Sequence, residues 1–426
     1  MSLFFRFLVL SLLIPFSQCY GFDEYQHLNA KLRDRVRPGN PVVIVPGDGA
    51  SRIEAKLTGK LTAPHRLCAK NTNDYFTLWL DIYLLGKFVV DCTVDSLKLV
   101  FDPKTGLSSD APGVETRVPS SVESLEYLDI HKYAKSAYFA HIVEELEKWG
   151  YTKEKDIIAA PYDWRRAPHE LIGFYDLLRT RIEKTYSVND NKPVVIVGHS
   201  LGNPVMLYFY TNVVSADWKQ KFIKSHVSLG APWAGAAQII RMYTTGYNLN
   251  QFQVVLAPGD LLPMERTLTS SAFLFPSRAV WGPTEPYASF DGKNYTVSNI
   301  GEFFEDIGYP IGMAQYNWTQ YKGVSTLDPP GVEIHCVYGT GVKTPEKFEW
   351  SKNGYWSTFP KSSPTEVHGD GDGTVNLKSL QACKRWNAGN NGGKQVKTYE
   401  VSGADHIGIL KEQVSMSVLK DVLYRI

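Results

Sequence analysis

The sequence predicts an α/β fold in which a mostly parallel sheet is covered by helices on both faces. Short, unbroken apolar runs such as residues 42–45 and 193–197 are typical of strands buried on both faces, which need no polar alternation. Between such runs, apolar residues recur every three or four positions, as in 142–149, which indicates amphipathic helices. Strands that alternate with helices favour a parallel sheet within one layered core.

The candidate elements follow one another along most of the chain. The predicted strands cover residues 41–46, 157–160, 193–197, 226–229, 334–338 and 396–401. The predicted helices cover residues 142–149, 205–210 and 410–423. Two stretches interrupt the alternation, residues 66–95 and the Gly-, Pro- and aromatic-rich residues 232–330. We expect both to be insertions on one core rather than separate domains.

Composition and charge narrow the range of functions. A chain of 426 residues with 43% hydrophobic and 21% charged residues has the composition of an ordinary globular protein. Its formal net charge of +1 gives no reason to expect a nucleic-acid partner. No obligate protein partner is predicted either.

Residues 1–20 resemble a signal peptide. Arg6 precedes an apolar run that ends at Pro15, and the small residues Ser17 and Cys19 lie at the spacing that a signal peptidase recognises. A retained membrane anchor is the alternative, but the run is short for a membrane span. We therefore expect cleavage and entry into the secretory pathway, with delivery to the lysosome lumen, secretion, or both.

The cysteines and two sequons fit a secretory protein. Once Cys19 is removed, four cysteines remain, and an even number in this context favours disulfides. Three pairings are possible, and we choose the one between sequence neighbours, Cys68 with Cys92 and Cys336 with Cys383. N-glycosylation sequons begin at Asn294 and Asn317.

The strongest motif is a candidate nucleophile. Gly198, Ser200 and Gly202 form G-x-S-x-G directly after a β-branched run and before a helix-compatible segment. In an α/β-hydrolase, this pattern makes a sharp strand-to-helix turn with the serine at its apex, and the glycines allow neighbouring elements to approach closely. An ordinary Gly-Ser turn is the alternative interpretation, which the flanking strand and helix disfavour.

The catalytic base and acid should follow the serine in the order acid, then histidine. His406 is the candidate base, because it alone among ten histidines lies beyond the Gly-Asp-Gly-Asp-Gly turn at 369–373 and directly follows the last predicted strand. The turn offers Asp370 and Asp372, and the residues alone leave the choice between them open. A calcium loop is excluded, because the required glycine at its sixth position is absent and no glutamate stands at its twelfth. No metal or other cofactor is expected.

An oxyanion hole requires two backbone N–H donors. The first should come from Leu201, which follows the candidate nucleophile. The second should come from Asp48, in the Pro-Gly-Asp-Gly loop after the first strand. A plain Pro-Gly turn explains that loop equally well.

Residues 76–90 are crowded with bulky apolar side chains and interrupted by Asp81 and Lys87. The segment is too short and too charged to span a bilayer, so it suits an element that lies in the membrane interface. The side chains we expect to contact lipid are Trp79, Leu80, Leu84 and Leu85. A buried core helix is the alternative.

Taken together, these motifs resemble the lecithin:cholesterol acyltransferase family, and within it the lysosomal phospholipase A2 branch. The similarity covers nearly all of the chain beyond the signal region, in the same order. Its most specific strings are A-P-Y-D-W-R-R-A-P at 160–168 and G-D-G-D-G-T-V-N at 369–376.

The resemblance implies a serine acyl hydrolase with the triad Ser200, Asp372 and His406, and oxyanion donors at Asp48 and Leu201. It also implies the two chosen disulfides, a membrane-binding subdomain at 66–95, and a cap and lid around 105–150 and 232–330. The implied activity is that of a calcium-independent phospholipase A and transacylase, which passes fatty acyl chains from phospholipids to water or to a lipid alcohol such as ceramide. The alternatives are a secreted lipoprotein-associated sterol acyltransferase or neutral lipase, and a catalytically inactive lipid-binding protein.

Overall fold

The computed structural model describes residues 38–248, 257–321, 323–351, 359–360 and 362–425. The predicted signal peptide lies outside these ranges. Within them, no helix combines the length and apolar character needed to cross a membrane.

Fifteen strands are found in the described residues. In chain order they are β1 Val42–Val45, β2 Ile53–Leu57, β3 Phe76–Trp79, β4 Leu99–Asp102, β5 Leu107–Asp110, β6 Val114–Arg117, β7 Ile157–Ala159, β8 Val194–His199, β9 Ile223–Leu229, β10 Pro286–Phe290, β11 Lys293–Thr296, β12 Ile334–Thr340, β13 Thr344–Trp350, β14 Thr365–Gly369 and β15 Val396–Ser402.

The α-helices of the same ranges are mostly short. In chain order they are α1 Val90–Leu97, α2 Glu123–Glu126, α3 Ala140–Lys148, α4 Ile172–Val188, α5 Gly202–Tyr208, α6 Ala216–Phe222, α7 Ile239–Thr244, α8 Pro258–Glu265, α9 Thr269–Phe273, α10 Ile300–Asp306, α11 Ile311–Trp318, α12 Leu377–Leu380 and α13 Gln413–Tyr424. Short 3-10 helices at Ile82–Leu85, Ala134–Ser136, Pro168–Glu170, Gln381–Arg385 and Gly408–Lys411 and a π-helical turn at Phe209–Val213 complete the set.

A six-stranded parallel sheet forms the centre of the molecule. Its strand order is β15-β12-β9-β8-β1-β7, and every neighbouring pair is parallel. All six strands coincide with runs predicted from the sequence, so the predicted α/β-hydrolase core with a mostly parallel sheet is confirmed. Parallel strands place all their carboxyl ends at one edge, where ligands bind in open α/β sheets.

Both faces of this sheet are buried at its centre, which explains the unbroken apolar runs of β1 and β8, whereas the edge strand β15 mixes polar and apolar residues and is partly exposed. In β1, Val43 and Val45 pack into one hydrophobic cluster, whereas Val42 and Ile44 pack into the other. Successive side chains of a strand point to opposite faces, so an apolar residue is needed at every position. Helices α3 and α13 contribute their apolar stripes to the second cluster.

Three smaller sheets were not predicted. Strands β11-β10-β13-β14 form one, β3-β2-β6 a second, and the hairpin β4-β5 a third. Several of these strands, such as β5 and β14, consist mainly of partly exposed and exposed residues. Their sequences therefore lack the apolar runs that made the central strands recognisable.

The chosen disulfide pairing is present. Cys68 is bonded to Cys92, and Cys336 on β12 is bonded to Cys383. The sequon residues Asn294 and Asn317 are both exposed, as a glycosylation acceptor requires, and their modification stays a prediction.

The predicted lipid contacts need correction. Trp79, Leu80 and Leu85 are 4%, 1% and 1% exposed, so the prediction that these three side chains contact a membrane is wrong. They belong to the main hydrophobic cluster, and Leu84 is half-buried. Sequence composition identified an apolar segment, but in a short strand and 3-10 helix it could not show which side chains point inward.

Candidate active site

Ser200 lies in the turn between β8 and α5, at the carboxyl edge of the central sheet. Its φ of 50° is in the left-handed region that L-residues rarely adopt, as expected for a nucleophile on a strained turn. The glycine at 202 allows the turn to approach β1, because a Cβ there would lie 2.5 Å from the carbonyl oxygen of Pro46. The N–H of Ser200 donates to the carbonyl oxygen of Leu229 at 3.0 Å, which fixes the turn on β9.

His406 and Asp372 reach Ser200 from two other loops. The Nε2 atom of His406 lies 2.9 Å from Ser200 Oγ, and its Nδ1 atom lies 2.7 Å from Asp372 Oδ2. The backbone N–H of His406 also donates to the carbonyl oxygen of Asp372 at 2.8 Å. The three predicted catalytic residues are therefore joined by hydrogen bonds in the order serine, histidine, aspartate. This arrangement can deprotonate the serine and stabilise the resulting imidazolium.

The two carboxylates of the Gly-Asp-Gly-Asp-Gly turn have different partners. The Oδ1 atom of Asp372 accepts the N–H groups of Thr374 and Val375, which leaves Oδ2 directed at His406. Asp370 instead accepts the N–H of Gly341 at 2.6 Å and so caps a turn. The geometry thus brings Asp372, and not Asp370, to the histidine.

The Gly47–Asp48 loop packs directly against the serine. A Cβ at position 47 would lie 2.7 Å from Ser200 Cβ and 3.3 Å from Oγ, so only glycine fits there without displacement. Leu201 begins the turn into α5, and the N-terminal end of a helix favours negative charge. The two predicted oxyanion residues, Asp48 and Leu201, therefore flank Ser200 on adjoining backbone segments, which suits them to stabilise a tetrahedral oxyanion.

Asp48 has an unusual electrostatic environment. Its Oδ1 atom is buried and has no hydrogen-bond partner among the described residues. Burial raises the pKa of the Asp48 carboxyl to about 7, and a hydrogen bond from the backbone of Gly49 opposes that rise. Below neutral pH the carboxyl is therefore largely uncharged.

A cavity of about 310 Å³ opens over Ser200, Asp372 and His406. Most of its wall is apolar, with Trp79, Ile239, Met242 and Leu274 among the lining residues. The indole N–H of Trp79 donates to the carbonyl oxygen of Gly49 at 2.7 Å, so this buried tryptophan supports the loop beside the serine. An apolar cavity ending at a nucleophile suits an acyl chain whose ester carbonyl reaches Ser200.

Two residues of the site were missed by sequence reasoning. His199, inside the G-x-S-x-G motif, is fully buried, and its Nε2 atom lies 2.8 Å from the carbonyl oxygen of His406. Tyr138 hydrogen-bonds to His199 and receives the N–H of Gly47 at 3.0 Å. Burial, with a smaller contribution from His406, lowers the pKa of His199 to about 3. The position of His199 beside the serine was the available signal, whereas Tyr138 had none.

Metal-binding side chains occur together away from this site. In the described ranges, His65, Asp91, Cys68 and Cys92 are close enough to share an ion. The two sulfur atoms are already joined in a disulfide, so this set does not fit a resident metal.

The fold and this site define the class of protein: an enzyme of the serine hydrolase and acyltransferase type on an α/β-hydrolase core. The family model described as Lecithin:cholesterol acyltransferase matches residues 75–322 and 309–413. The chain belongs to the lecithin:cholesterol acyltransferase family.

Relatives and a solved structure agree with this assignment. The chain is 40% identical over 385 residues to "Lysosomal phospholipase A and acyltransferase" of Homo sapiens, covering 90% of each chain. It is 32% identical to "Phosphatidylcholine-sterol acyltransferase" of Mus musculus, over 98% of this chain and 93% of the relative. The solved structure "The crystal structure of Tle4-Tli4 complex" superposes with a TM-score of 0.52 at 15% identity, covering 90% of this chain and 98% of that chain, and indicates a shared fold.

Proposed function

We propose that this protein is a calcium-independent phospholipase A and transacylase that acts on phospholipid surfaces in the lysosome lumen. The observation that carries the proposal is the hydrogen-bonded series Ser200, His406 and Asp372 at the end of an apolar cavity. The human relative named "Lysosomal phospholipase A and acyltransferase" is more similar to this chain than the mouse sterol acyltransferase, 40% against 32% identical, which supports the phospholipase interpretation.

The proposed reaction has two acyl-transfer steps. His406 takes the Ser200 hydroxyl proton while Oγ attacks the ester carbonyl, and Asp372 holds the imidazole and stabilises its positive charge. The N–H groups of Asp48 and Leu201 stabilise the oxyanion. The ester C–O bond then breaks, His406 gives its proton to the departing oxygen, which becomes a hydroxyl of the lysophospholipid, and the acyl group remains on Ser200.

The second step repeats the first with a different nucleophile. Water or the primary hydroxyl of a lipid alcohol such as ceramide loses its proton to His406 and attacks the acyl-enzyme. Collapse of that intermediate returns the proton to Ser200 and releases a fatty acid or an acylated lipid. An apolar cavity favours a lipid alcohol over water, because the lipid contributes apolar contacts that water lacks.

We propose a membrane-facing surface around the Cys68–Cys92 disulfide. The exposed large apolar side chains of this region are Leu61, Leu67, Tyr83 and Phe88. Leu67 precedes a disulfide-bonded cysteine, and Phe88 precedes the helix that carries its partner, so the disulfide holds the two segments together. Exposed apolar groups on a well-packed base suit insertion into a lipid interface.

The test uses the purified protein and its Ser200→Ala variant on phosphatidylcholine liposomes containing ceramide, at acidic and neutral pH. We expect free fatty acid and acylceramide at acidic pH, and neither product from the variant. Turnover at neutral pH alone, or with a sterol as the only acceptor, would favour the lipoprotein-associated acyltransferase. No product under either condition, with no labelling of Ser200 by a fluorophosphonate, would favour the inactive lipid-binding protein.

A further inference from the structure

A buried hydrogen-bond chain connects the loop beside the nucleophile to the loop that carries the base. The N–H of Gly47 donates to the Tyr138 hydroxyl at 3.0 Å, and that hydroxyl is hydrogen-bonded to His199 Nδ1. On the far side of the ring, His199 Nε2 lies 2.8 Å from the carbonyl oxygen of His406. Tyr138 and His199 are 2% and 1% exposed, so water does not compete for these bonds.

The chemistry of the groups fixes the direction of each bond. A carbonyl oxygen only accepts hydrogen bonds, so His199 Nε2 must carry a proton and donate a hydrogen bond to the carbonyl oxygen of His406. Burial beside His406 lowers the pKa of His199, so its ring is neutral and Nδ1 carries no proton. The Tyr138 hydroxyl must therefore donate to Nδ1, and its oxygen is left to accept the N–H of Gly47.

We propose that Tyr138 and His199 are positioning residues that hold the Gly47–Asp48 loop and the backbone of His406 in register with Ser200. This inference rests on the proposed catalytic roles of these segments. Tyr138 lies between α2 and α3, His199 ends β8, and His406 follows β15, so three distant parts of the chain are fixed to one another. Both rings are packed in the interior, which restricts their rotation.

The location of this hydrogen-bond chain explains its role in the reaction. Two hydrogen bonds to Asp372 already hold His406: its N–H donates to the Asp372 carbonyl oxygen, and its ring is bonded to the Asp372 carboxylate. Its carbonyl is the remaining backbone group, and the bond from His199 sets the tilt of the peptide that carries the base. Small displacements of a base or an oxyanion donor cause large losses of rate, so fixing both through one rigid path favours catalysis.

A second tyrosine–histidine pair provides a matched control. Tyr210 lies 3.3 Å from His226 Nδ1, and His226 Nε2 lies 2.9 Å from Asn203 Oδ1. Both residues are buried, and burial lowers the pKa of His226 to about 3, as it does for His199. From His226 the contacts continue through Asn203 Nδ2 to the carbonyl oxygen of Ser200 at 3.0 Å, and they do not reach the loop of His406. Tyr210→Phe therefore removes a comparable buried hydroxyl but leaves the hydrogen bonds of Tyr138 and His199 intact.

The experiment compares Tyr138→Phe, His199→Leu and His199→Gln with Tyr210→Phe, using a soluble ester, a fluorophosphonate probe and thermal melting. We expect Tyr138→Phe and His199→Leu to lower kcat about 10- to 100-fold with little change in KM, and to slow labelling of Ser200 to a similar extent. His199→Gln should recover much of the loss, because its amide can still donate to the His406 carbonyl. Tyr210→Phe should retain kcat at a similar melting temperature.

Two results would overturn the inference. One is an unchanged kcat in Tyr138→Phe and His199→Leu. The other is a loss that follows the melting temperature equally in all four variants, including Tyr210→Phe, since that would describe a role in stability alone. Failure of the proposed catalytic roles is distinguishable, because the unmodified protein would then neither turn over the ester nor react with the fluorophosphonate.

Discussion

Replacing Asp48 by asparagine should extend activity to higher pH. Burial raises the pKa of the Asp48 carboxyl to about 7, so the group is neutral in acid and becomes a carboxylate as the pH passes neutrality. Asp48 follows Gly47, which packs against Ser200, so a negative charge there opposes the negative charge of the tetrahedral intermediate. Asparagine keeps the backbone N–H and the shape of the side chain but cannot ionise.

Ionisation of Asp48 has two effects whose sizes can be worked out, one on the rate and one on the stability of the fold. Two unit charges about 5 Å apart, at an effective dielectric constant of about 20, repel by about 3 kcal/mol, which lowers the rate about 100-fold. For stability, the rise in pKa from 3.8 to about 7 corresponds to at most about 4 kcal/mol. Partial exposure of the residue reduces this to about 2–4 kcal/mol.

The sign of the pH dependence follows from proton binding. Between pH 3.8 and about 7 the folded protein holds a proton on Asp48 that the unfolded chain has lost, so stability falls as the pH rises through this range. The penalty is absent below the unfolded pKa and complete above the folded one. Asp48→Asn should therefore match the unmodified protein at pH 4 and be more stable at pH 8.

The assay is the pH profile of kcat on a soluble ester, with melting temperatures at acidic and alkaline pH. We expect the unmodified protein to lose activity as the pH rises through about 7 and Asp48→Asn to retain it. Glu265→Gln is the comparison, because Glu265 is a second buried carboxyl with a raised pKa, to which Asp48 contributes, but it accepts the N–H of Tyr247 behind the cavity wall and does not line the cavity itself. An alkaline limb that is identical in Asp48→Asn and the unmodified protein would refute the reasoning.

Three further predictions follow from the site and its surroundings. Asp372→Asn should lower kcat by about four orders of magnitude by removing the partner of the base, whereas Asp370→Asn should affect mainly loop stability; equal kcat losses would contradict this. Phe88→Ser should weaken binding to liposomes, measured by sedimentation, and leave turnover of a soluble ester unchanged. Trp79→Ala should instead destabilise the fold by about 3–5 kcal/mol and lower both liposome binding and ester turnover. Unchanged sedimentation with Phe88→Ser would argue against the membrane surface. Gly47→Ala should abolish esterase activity in a folded protein, measured by kcat and circular dichroism, because its methyl group would contact the nucleophile.

The central sheet could be predicted from sequence because of how it is buried. Strands covered on both faces must be apolar at every position, and runs such as those of β1 and β8 are rare elsewhere in the chain. Ser200 and His406 could be predicted from the motif after β8 and from the position directly after β15, whereas the choice of Asp372 over Asp370 came from the family resemblance. The three smaller sheets gave no such signal, because their strands mix exposed and buried residues.

Other features depend on contacts that a linear pattern does not encode. Asp370 and Asp372 are equivalent in sequence, and only the path of the turn decides which carboxylate meets His406. Trp79 and Phe88 belong to one apolar segment, yet one is 4% exposed and the other 77%. Their difference arises because Trp79, at the end of β3, packs against Trp164, whereas Phe88 lies between the 3-10 helix and α1, and periodicity over four residues cannot reveal this.

The electrostatics of the site favour an acidic working range. Asp48 is neutral below about pH 7, and His199 is neutral above about pH 3. Between these limits neither group adds a charge beside the triad: a carboxylate at Asp48 would oppose the oxyanion, and an imidazolium at His199 would oppose the positive charge that develops on His406. Both pKa values are displaced by burial, so the same packing that shields the site from water also sets this range. A kcat optimum well above pH 7 in the unmodified protein would contradict the argument, because Asp48 would then be ionised throughout catalysis.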